Sequence, residues 1–294
     1  MISQSARHAA ERKPESRFVT TKAGVRLHVT DWGGDHMPLV LVHGTRRTGR
    51  SWDAVARRLS GAFRVLAMDV RGHGDSDASE AGYTRWDAVE DTHAVVEGLK
   101  LGRIFIMGHS IGGGTAALYA AKYPDRVLGA LLIEPVPEAP RHYIRVGIFN
   151  EDWTVRREGE RRNGWASLDD LRKRLSENNM TKSWTPEVLE DVLQGETQVR
   201  PDGRIEMKWH PNAYNLDDMR NDVFDLRDEA PRMTMAVMVM AAATNNLLKS
   251  HLEPLAQALP RGVLVALPDV GHNIYMEAPD TVADHARRFF LQGE

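Results

Sequence analysis

One serine of this chain stands between glycines, at a point where an apolar run gives way to an alanine-rich run. The stretch is FIMGHSIGGGTAA, residues 105–117. The pattern G-x-S-x-G at a strand-to-helix junction is a nucleophile elbow, a sharp turn that lifts the serine hydroxyl above a sheet. Gly108 and Gly112 leave room for such a turn. Ser110 is therefore the predicted nucleophile, and it needs a base and an acid to activate it.

The elements that would hold this serine follow from the apolar pattern. Continuous apolar runs alternate with stretches of helical spacing, which is typical of parallel strands covered by helices on both faces. The predicted strands are 26–32, 38–44, 63–69, 103–109, 127–135, 235–242 and 262–268. The predicted helices of this region are 51–59, 86–100, 111–123, 249–259 and 279–291. The alternation predicts a doubly wound α/β fold.

The stretch from residue 137 to 230 interrupts this alternation. It carries four tryptophans and many charges, and it predicts helices at 167–179 and 185–195, each opened by a Ser or Thr cap. Because it is too long for a loop, we expect a helical cap inserted into the core. The predicted organisation is a frayed tail at 1–16, a core at 17–136 and 231–294, and the cap at 137–230.

Five segments resemble landmarks of the α/β-hydrolase family, in the family's order. They are LVHGT (41–45), DVRGHGDS (69–76), GHSIGGG (108–114), AAKYPDRV (120–127) and DVGHNIYMEAPD (269–280). The resemblance covers residues 17–291 and implies an α/β-hydrolase fold: a mostly parallel eight-stranded sheet with helices on both faces and an inserted helical cap. It also implies that the backbone N–H groups of Thr45 and Ile111 form an oxyanion hole for the tetrahedral intermediate.

The general base is expected late in the chain, because this family carries its triad in the order serine, acid, histidine. His272 lies in a loop after the last predicted strand and is the expected base. The other histidines are interpreted as local structural residues or as helix-face residues: His43, His73, His109, His251 and His285.

The acid is the least usual feature. In the family it normally follows the seventh strand, but the corresponding loop, AAATNNLLKS, offers Thr and Asn at 244–246 and no carboxylate. Glu134 ends the sixth strand, at the same edge of the sheet as Ser110. Glu134 is therefore the predicted acid, an arrangement similar to that of lactonases that open resorcylic macrolactones such as zearalenone. A purely structural Glu134, or Asp269 as the acid, are the alternatives.

Together these residues predict a serine hydrolase of small carboxylic esters or lactones that forms an acyl-enzyme and requires no cofactor or metal. Tyr143, Trp153 and Trp184 of the cap are expected to wall an apolar substrate pocket. Two alternatives stay open. One is a lyase or cofactor-free dioxygenase that uses the triad for proton abstraction, and the other is a small-molecule receptor without turnover.

Composition narrows the classes further. A formal net charge of −3 argues against a nucleic-acid-binding surface. The lack of cysteine excludes disulfides, thiolate catalysis and cysteine-based metal sites. Neither a membrane span nor a signal peptide is predicted, so we expect a cytoplasmic protein; the oligomeric state is left open.

Overall fold

A computed structural model of the chain describes residues 13–139, 163–214 and 216–292. Within them, eight strands form one sheet in the order β1-β2-β4-β3-β5-β6-β9-β10, and β7 and β8 form a separate ribbon. The strands are β1 (Glu15–Thr20), β2 (Arg26–Asp31), β3 (Pro38–Val42), β4 (Arg64–Met68), β5 (Ile104–His109), β6 (Val127–Ile133), β7 (Thr197–Val199), β8 (Ile205–Met207), β9 (Ala236–Ala242) and β10 (Gly262–Leu267). From β4 to β10 all neighbouring strands of the large sheet are parallel, so the sheet is mostly parallel, as predicted.

Helices cover both faces of this sheet. The α-helices of the described chain are α1 (Asp53–Leu59), α2 (Arg85–Gly98), α3 (Ile111–Lys122), α4 (Leu168–Glu177), α5 (Pro186–Gly195), α6 (Leu216–Asn221), α7 (Leu226–Glu229), α8 (Glu253–Ala258), α9 (Ile274–Glu277) and α10 (Pro279–Gln292). Val40 and Val42 of β3 pack in the apolar cluster that includes α2 and α3, whereas Leu39 and Leu41 pack in the cluster that includes α1 and α10. Because alternate side chains enter opposite cores, the strand has an unbroken apolar sequence.

Residues between β6 and β9 build a separate layer. Ser167 and Thr185 cap α4 and α5 through hydrogen bonds from the N–H groups of Asp170 and Val188 to their side chains, as the sequence predicts. The helix α5 packs on α1, and α4 packs on α5. The limits of the cap at 137 and 230 remain a prediction.

The N-terminal edge differs from expectation. β1 begins at Glu15, two residues inside the predicted tail of 1–16, and pairs antiparallel with β2. Of the side chains of β1, that of Val19 alone is buried. This edge strand therefore lacks the alternation of apolar and polar residues by which a strand is predicted from sequence. Within the described ranges, the helices do not include one with both the length and the apolar character to cross a membrane.

Candidate active site

Ser110 occupies a strained turn between β5 and α3. Its backbone has φ 55° and ψ −119°, a combination that is rare for a residue with a side chain. The N–H of Ser110 donates to the carbonyl of Ile133 at 2.9 Å, and the N–H of Val136 donates to the carbonyl of Ser110 at 3.0 Å. A Cβ added to Gly108 would overlap the carbonyl of Gly112. The turn is thus held against the end of β6, and its close backbone packing requires the glycine at position 108.

Glu134, directly after β6, contacts the ring of His272. Nδ1 of His272 lies 3.0 Å from Oε2 of Glu134, and Oε1 accepts a hydrogen bond from the N–H of Ala242 at 2.6 Å. The side chain of Glu134 is 2% exposed and that of His272 is 38% exposed, so a buried carboxylate orients an accessible imidazole. A carboxylate at this position keeps the proton on Nδ1 and leaves Nε2 free to accept another. Asp269, the alternative acid, is an exposed residue.

Asn245 is a third residue at this carboxylate, and sequence reasoning did not assign it a role. Its Nδ2 donates to Oε2 of Glu134, the same oxygen that faces His272. Its Oδ1 accepts a hydrogen bond from the N–H of Leu247 at 2.7 Å, which fixes the orientation of the amide. The loop after β9 therefore supplies an amide that orients the acid. The signal was present in the sequence, as an asparagine in the loop where a carboxylate was sought.

The loop after β3 lies beside the nucleophile. A Cβ added to Gly44 would lie 2.6 Å from Nδ1 of His109 and 3.3 Å from Cβ of Ser110. His43 anchors this loop, because its Nδ1 bonds to the carbonyl of Gly44 at 2.8 Å and its Nε2 accepts from the N–H of Val70 at 3.0 Å. Burial lowers the pKa of His43, which keeps it neutral. This arrangement matches the supporting role expected of His43.

The two expected oxyanion donors lie in the loop after β3 and at the start of α3. Thr45 follows Gly44 directly, and Ile111 is the first residue of α3, where backbone N–H groups lack intrahelical acceptors. Both residues are partly exposed. Their role as oxyanion donors remains a prediction.

Three other histidines, His73, His109 and His251, have different surroundings. Nε2 of His109 bonds to the carbonyl of His272 at 2.8 Å, which ties the base loop to the residue before the nucleophile. Burial holds the pKa of His109 well below its usual value and lowers the pKa of His73 to about 3. His251 lies 2.6 Å from a carboxylate oxygen of Glu138. Among these histidines, His272 combines an accessible ring with a carboxylate partner in the active-site region.

A cavity of about 320 Å³ opens between the loop after β3 and the inserted layer. Its walls include Arg46, Arg47, Trp165, Arg174, Met180 and Trp209. Trp184 is buried and is not among the residues that line this cavity, and the Arg47 guanidinium carbon lies 5.1 Å from the centroid of its ring. Trp165 and Trp209 line the cavity, and the substrate contact expected of Trp184 stays a prediction. Tyr143 and Trp153 lie outside the described residues.

A buried ion pair connects the inserted layer to the loop after β3. Oε2 of Glu196, just after α5, lies 2.8 Å from Nη1 of Arg47, within ion-pair distance but without the geometry of a hydrogen bond. Oε1 of Glu196 accepts from the N–H of Thr48 at 2.9 Å. Burial raises the pKa of Glu196 to about 7, against the opposing effects of Arg47 and Thr48. Sequence reasoning missed Glu196, because nothing local distinguishes it from other helix-end carboxylates.

His28, Asp69 and Asp75 form the one group with metal-ligand spacing that the described ranges contain. Their polar atoms have protein partners. Nδ1 of His28 lies 2.8 Å from Oδ2 of Asp69, while Oδ1 of Asp69 accepts from the N–H of Gly49 at 2.6 Å. These hydrogen bonds brace the turn after β4, which gives the cluster a structural role.

The chain is similar in sequence to a known family and to several curated proteins. The family model described as alpha/beta hydrolase fold matches residues 37–279. A bifunctional esterase/perhydrolase of Acinetobacter calcoaceticus is 42% identical over 123 residues, which is 41% of this chain and 45% of that protein. A 2-(acetamidomethylene)succinate hydrolase of Mesorhizobium japonicum is 35% identical over 114 residues, 38% of this chain and 40% of that protein. The chain thus matches less than half the length of these curated relatives.

Solved structures match over nearly the whole chain. The crystal structure of E-2-(acetamidomethylene)succinate hydrolase superposes with a TM-score of 0.81 at 21% identity and covers 94% of this chain and 99% of that one. A thermophilic esterase from Thermogutta terrifontis, with malate bound, superposes with a TM-score of 0.72 at 26% identity, covering 95% and 98%. The architecture of sheet and helices is therefore shared with hydrolases of known structure.

Proposed function

This chain belongs to the α/β-hydrolase family, and on that premise we propose that it is a serine hydrolase of small carboxylic esters or lactones. The main observation in support is the contact between His272 and Glu134. Glu134 follows β6 at the same edge of the sheet as the turn that contains Ser110. The names of the matching relatives, an esterase and a hydrolase among them, support hydrolysis in general terms. The ester or lactone substrate and the acyl-enzyme are inferred from the side chains.

In the proposed reaction, Nε2 of His272 removes the hydroxyl proton as Oγ of Ser110 attacks the substrate carbonyl. The carbonyl π electrons move to oxygen and form a tetrahedral oxyanion. As the oxyanion collapses, the bond to the leaving alcohol breaks and His272 returns its proton to that alcohol. An acyl-serine remains, and a water molecule deprotonated by His272 releases the carboxylic acid by the same steps. In a lactone the two products stay joined as one hydroxy acid.

Glu134 and the backbone donors lower the barrier in different ways. Glu134 stabilises the imidazolium that forms on His272 and keeps the productive tautomer. The N–H groups of Thr45 and Ile111 would bind the oxyanion, and loss of one such donor typically raises a barrier by about 3–4 kcal/mol. No electron transfer is involved, so the reaction balances without a cofactor.

Ser110 provides the direct test. We expect the purified protein to hydrolyse short p-nitrophenyl esters and to be labelled at Ser110 by a fluorophosphonate. The variant Ser110→Ala should lose both properties. The matched control Ser250→Ala changes an exposed serine whose hydroxyl contacts the neighbouring ring of His251. Absence of both turnover and labelling in the folded wild-type protein would exclude the proposal.

A second candidate function, perhydrolysis, would proceed through the same acyl-enzyme. Because one matching relative is named an esterase/perhydrolase, hydrogen peroxide could replace water in the second half-reaction and yield a peracid. Ester cleavage with and without peroxide, combined with detection of peracid, separates the two outcomes. A lyase or dioxygenase would show substrate turnover without an acyl-enzyme, and a receptor would bind a ligand without turnover.

A further inference from the structure

The cavity beside the loop after β3 is cationic. Arg46, Arg47 and Arg174 line it, and its described lining residues include neither aspartate nor glutamate. Arg47 is held by the buried Glu196 outside the wall. Arg174, in the last turn of α4, has no acidic partner within the described ranges, whereas Arg172 on the same helix pairs with Glu190. Arg174 therefore brings to the cavity a positive charge that no acidic side chain of the described residues pairs with.

Apolar surface accompanies this charge. Trp165 and Trp209 line the cavity together with Leu171, Leu175 and Met207. Guanidinium groups bind carboxylates through paired, charge-assisted hydrogen bonds, and aromatic walls bind a hydrocarbon body. A ligand that fits both features has an apolar portion and a carboxylate.

The cavity adjoins the loops that carry the proposed catalytic groups. Arg46 and Arg47 follow Thr45, one of the expected oxyanion donors. Nδ2 of Asn273 donates to the carbonyl of Met180, another lining residue, at 2.8 Å. Asn273 is the residue after His272. Substrate bound in the cavity would therefore lie next to both loops.

We propose that Arg174, in the wall of this cavity, binds a free carboxylate of the substrate, so that the preferred substrates are anionic esters or lactones. This inference rests on the proposed hydrolase function and adds a charged recognition group to the apolar substrate pocket that the sequence predicts. The carboxylate is a recognition group and takes no part in bond breaking. The ester carbonyl reacts at Ser110, and the carboxylate sets the position of the substrate.

Two matched substrates test the proposal. Mono-p-nitrophenyl glutarate carries a free carboxylate, and its methyl ester has the same chain without the charge. We expect wild-type protein to favour the acid by about tenfold in kcat/KM, as one charged hydrogen bond allows. Arg174→Gln should reduce this ratio about tenfold, and Lys173→Gln, which removes one charge from the same helix outside the cavity, should preserve it. The ratio should also fall as sodium chloride is added, because Arg174 is exposed.

A binding measurement separates failure of this inference from failure of the hydrolase proposal. Titration of succinate, glutarate and adipate into Ser110→Ala by calorimetry should show binding that Arg174→Gln weakens about tenfold. Binding without any ester turnover in wild-type protein would keep the carboxylate site and remove the hydrolase function. Turnover with equal rates for the acid and its methyl ester, or no binding of any of the three dicarboxylates, would overturn the carboxylate site.

Discussion

Replacing Glu134 by glutamine changes one atom of the proposed triad and forces a choice between two unfavourable arrangements. The backbone N–H of Ala242 requires an acceptor at the present Oε1 position, where it donates at 2.6 Å. If the glutamine oxygen stays there, its NH₂ group faces Nδ1 of His272 and Nδ2 of Asn245. If the amide is reversed, its NH₂ group faces the N–H of Ala242. Either orientation places a donor against a donor in a buried site.

The first orientation predicts the catalytic defect. Nδ1 of His272 must then accept rather than donate, so the proton moves to Nε2, which can no longer take the proton from Ser110. Asn245 cannot relieve the conflict freely, because its Oδ1 is held by the N–H of Leu247 at 2.7 Å. A tautomer error of this kind, together with the lost charge, costs about 10³–10⁴-fold in kcat, or about 4–5.5 kcal/mol of barrier.

The assay compares kcat on a p-nitrophenyl ester and the rate of Ser110 labelling by a fluorophosphonate. Both should fall together in Glu134→Gln. Asn246→Ala, in the same loop cavity as Glu134, is the matched control and should retain activity near wild type. Thermal unfolding of each variant shows whether the fold persists. A folded Glu134→Gln variant with kcat within threefold of wild type, a margin of about 0.6 kcal/mol, would refute the assignment of the acid.

Two further predictions concern residues found only in the structure. Asn245→Ala removes one of the hydrogen bonds to Glu134 and should lower kcat about tenfold with little change in KM, because the amide positions the acid; an unchanged kcat would contradict this role. Glu196 has a folded pKa of about 7 against an ordinary value of 4.5, so the native state retains a proton that the unfolded state has lost between these values. Its contribution to stability therefore falls as pH rises from about 4.5 to 7, by up to about 3 kcal/mol. Urea unfolding at several pH values should show that the free energy of unfolding depends less on pH in Glu196→Gln than in wild type. An unchanged pH dependence would contradict the role of Glu196. Burial also raises the pKa of Asp53 to about 6, and the comparison of the two proteins separates the effect of Glu196 from that of Asp53.

The amino-acid sequence by itself determined the features that depend on local patterns. The apolar runs predicted the parallel strands, since a strand buried on both faces must be apolar at successive positions. The turn at Ser110 was predictable because its steric requirement for glycine acts within a few residues. Glu134 could be proposed from the ends of adjacent strands, because parallel strands finish at a common edge of the sheet.

Only the tertiary structure decided how distant side chains meet. Residues 134 and 272 are 138 positions apart, and their contact depends on the turn after β6 and the loop after β10 together. The amide of Asn245 could have faced solvent, the histidine or the acid, and its hydrogen bonds select the acid. The pairing of Arg47 with Glu196, and the presence of Arg174 and Trp209 in the lining of one cavity, likewise bring together segments with no common sequence pattern. Local preferences act over a few residues, whereas charge and hydrogen bonding in a site depend on where the folded chain places each group.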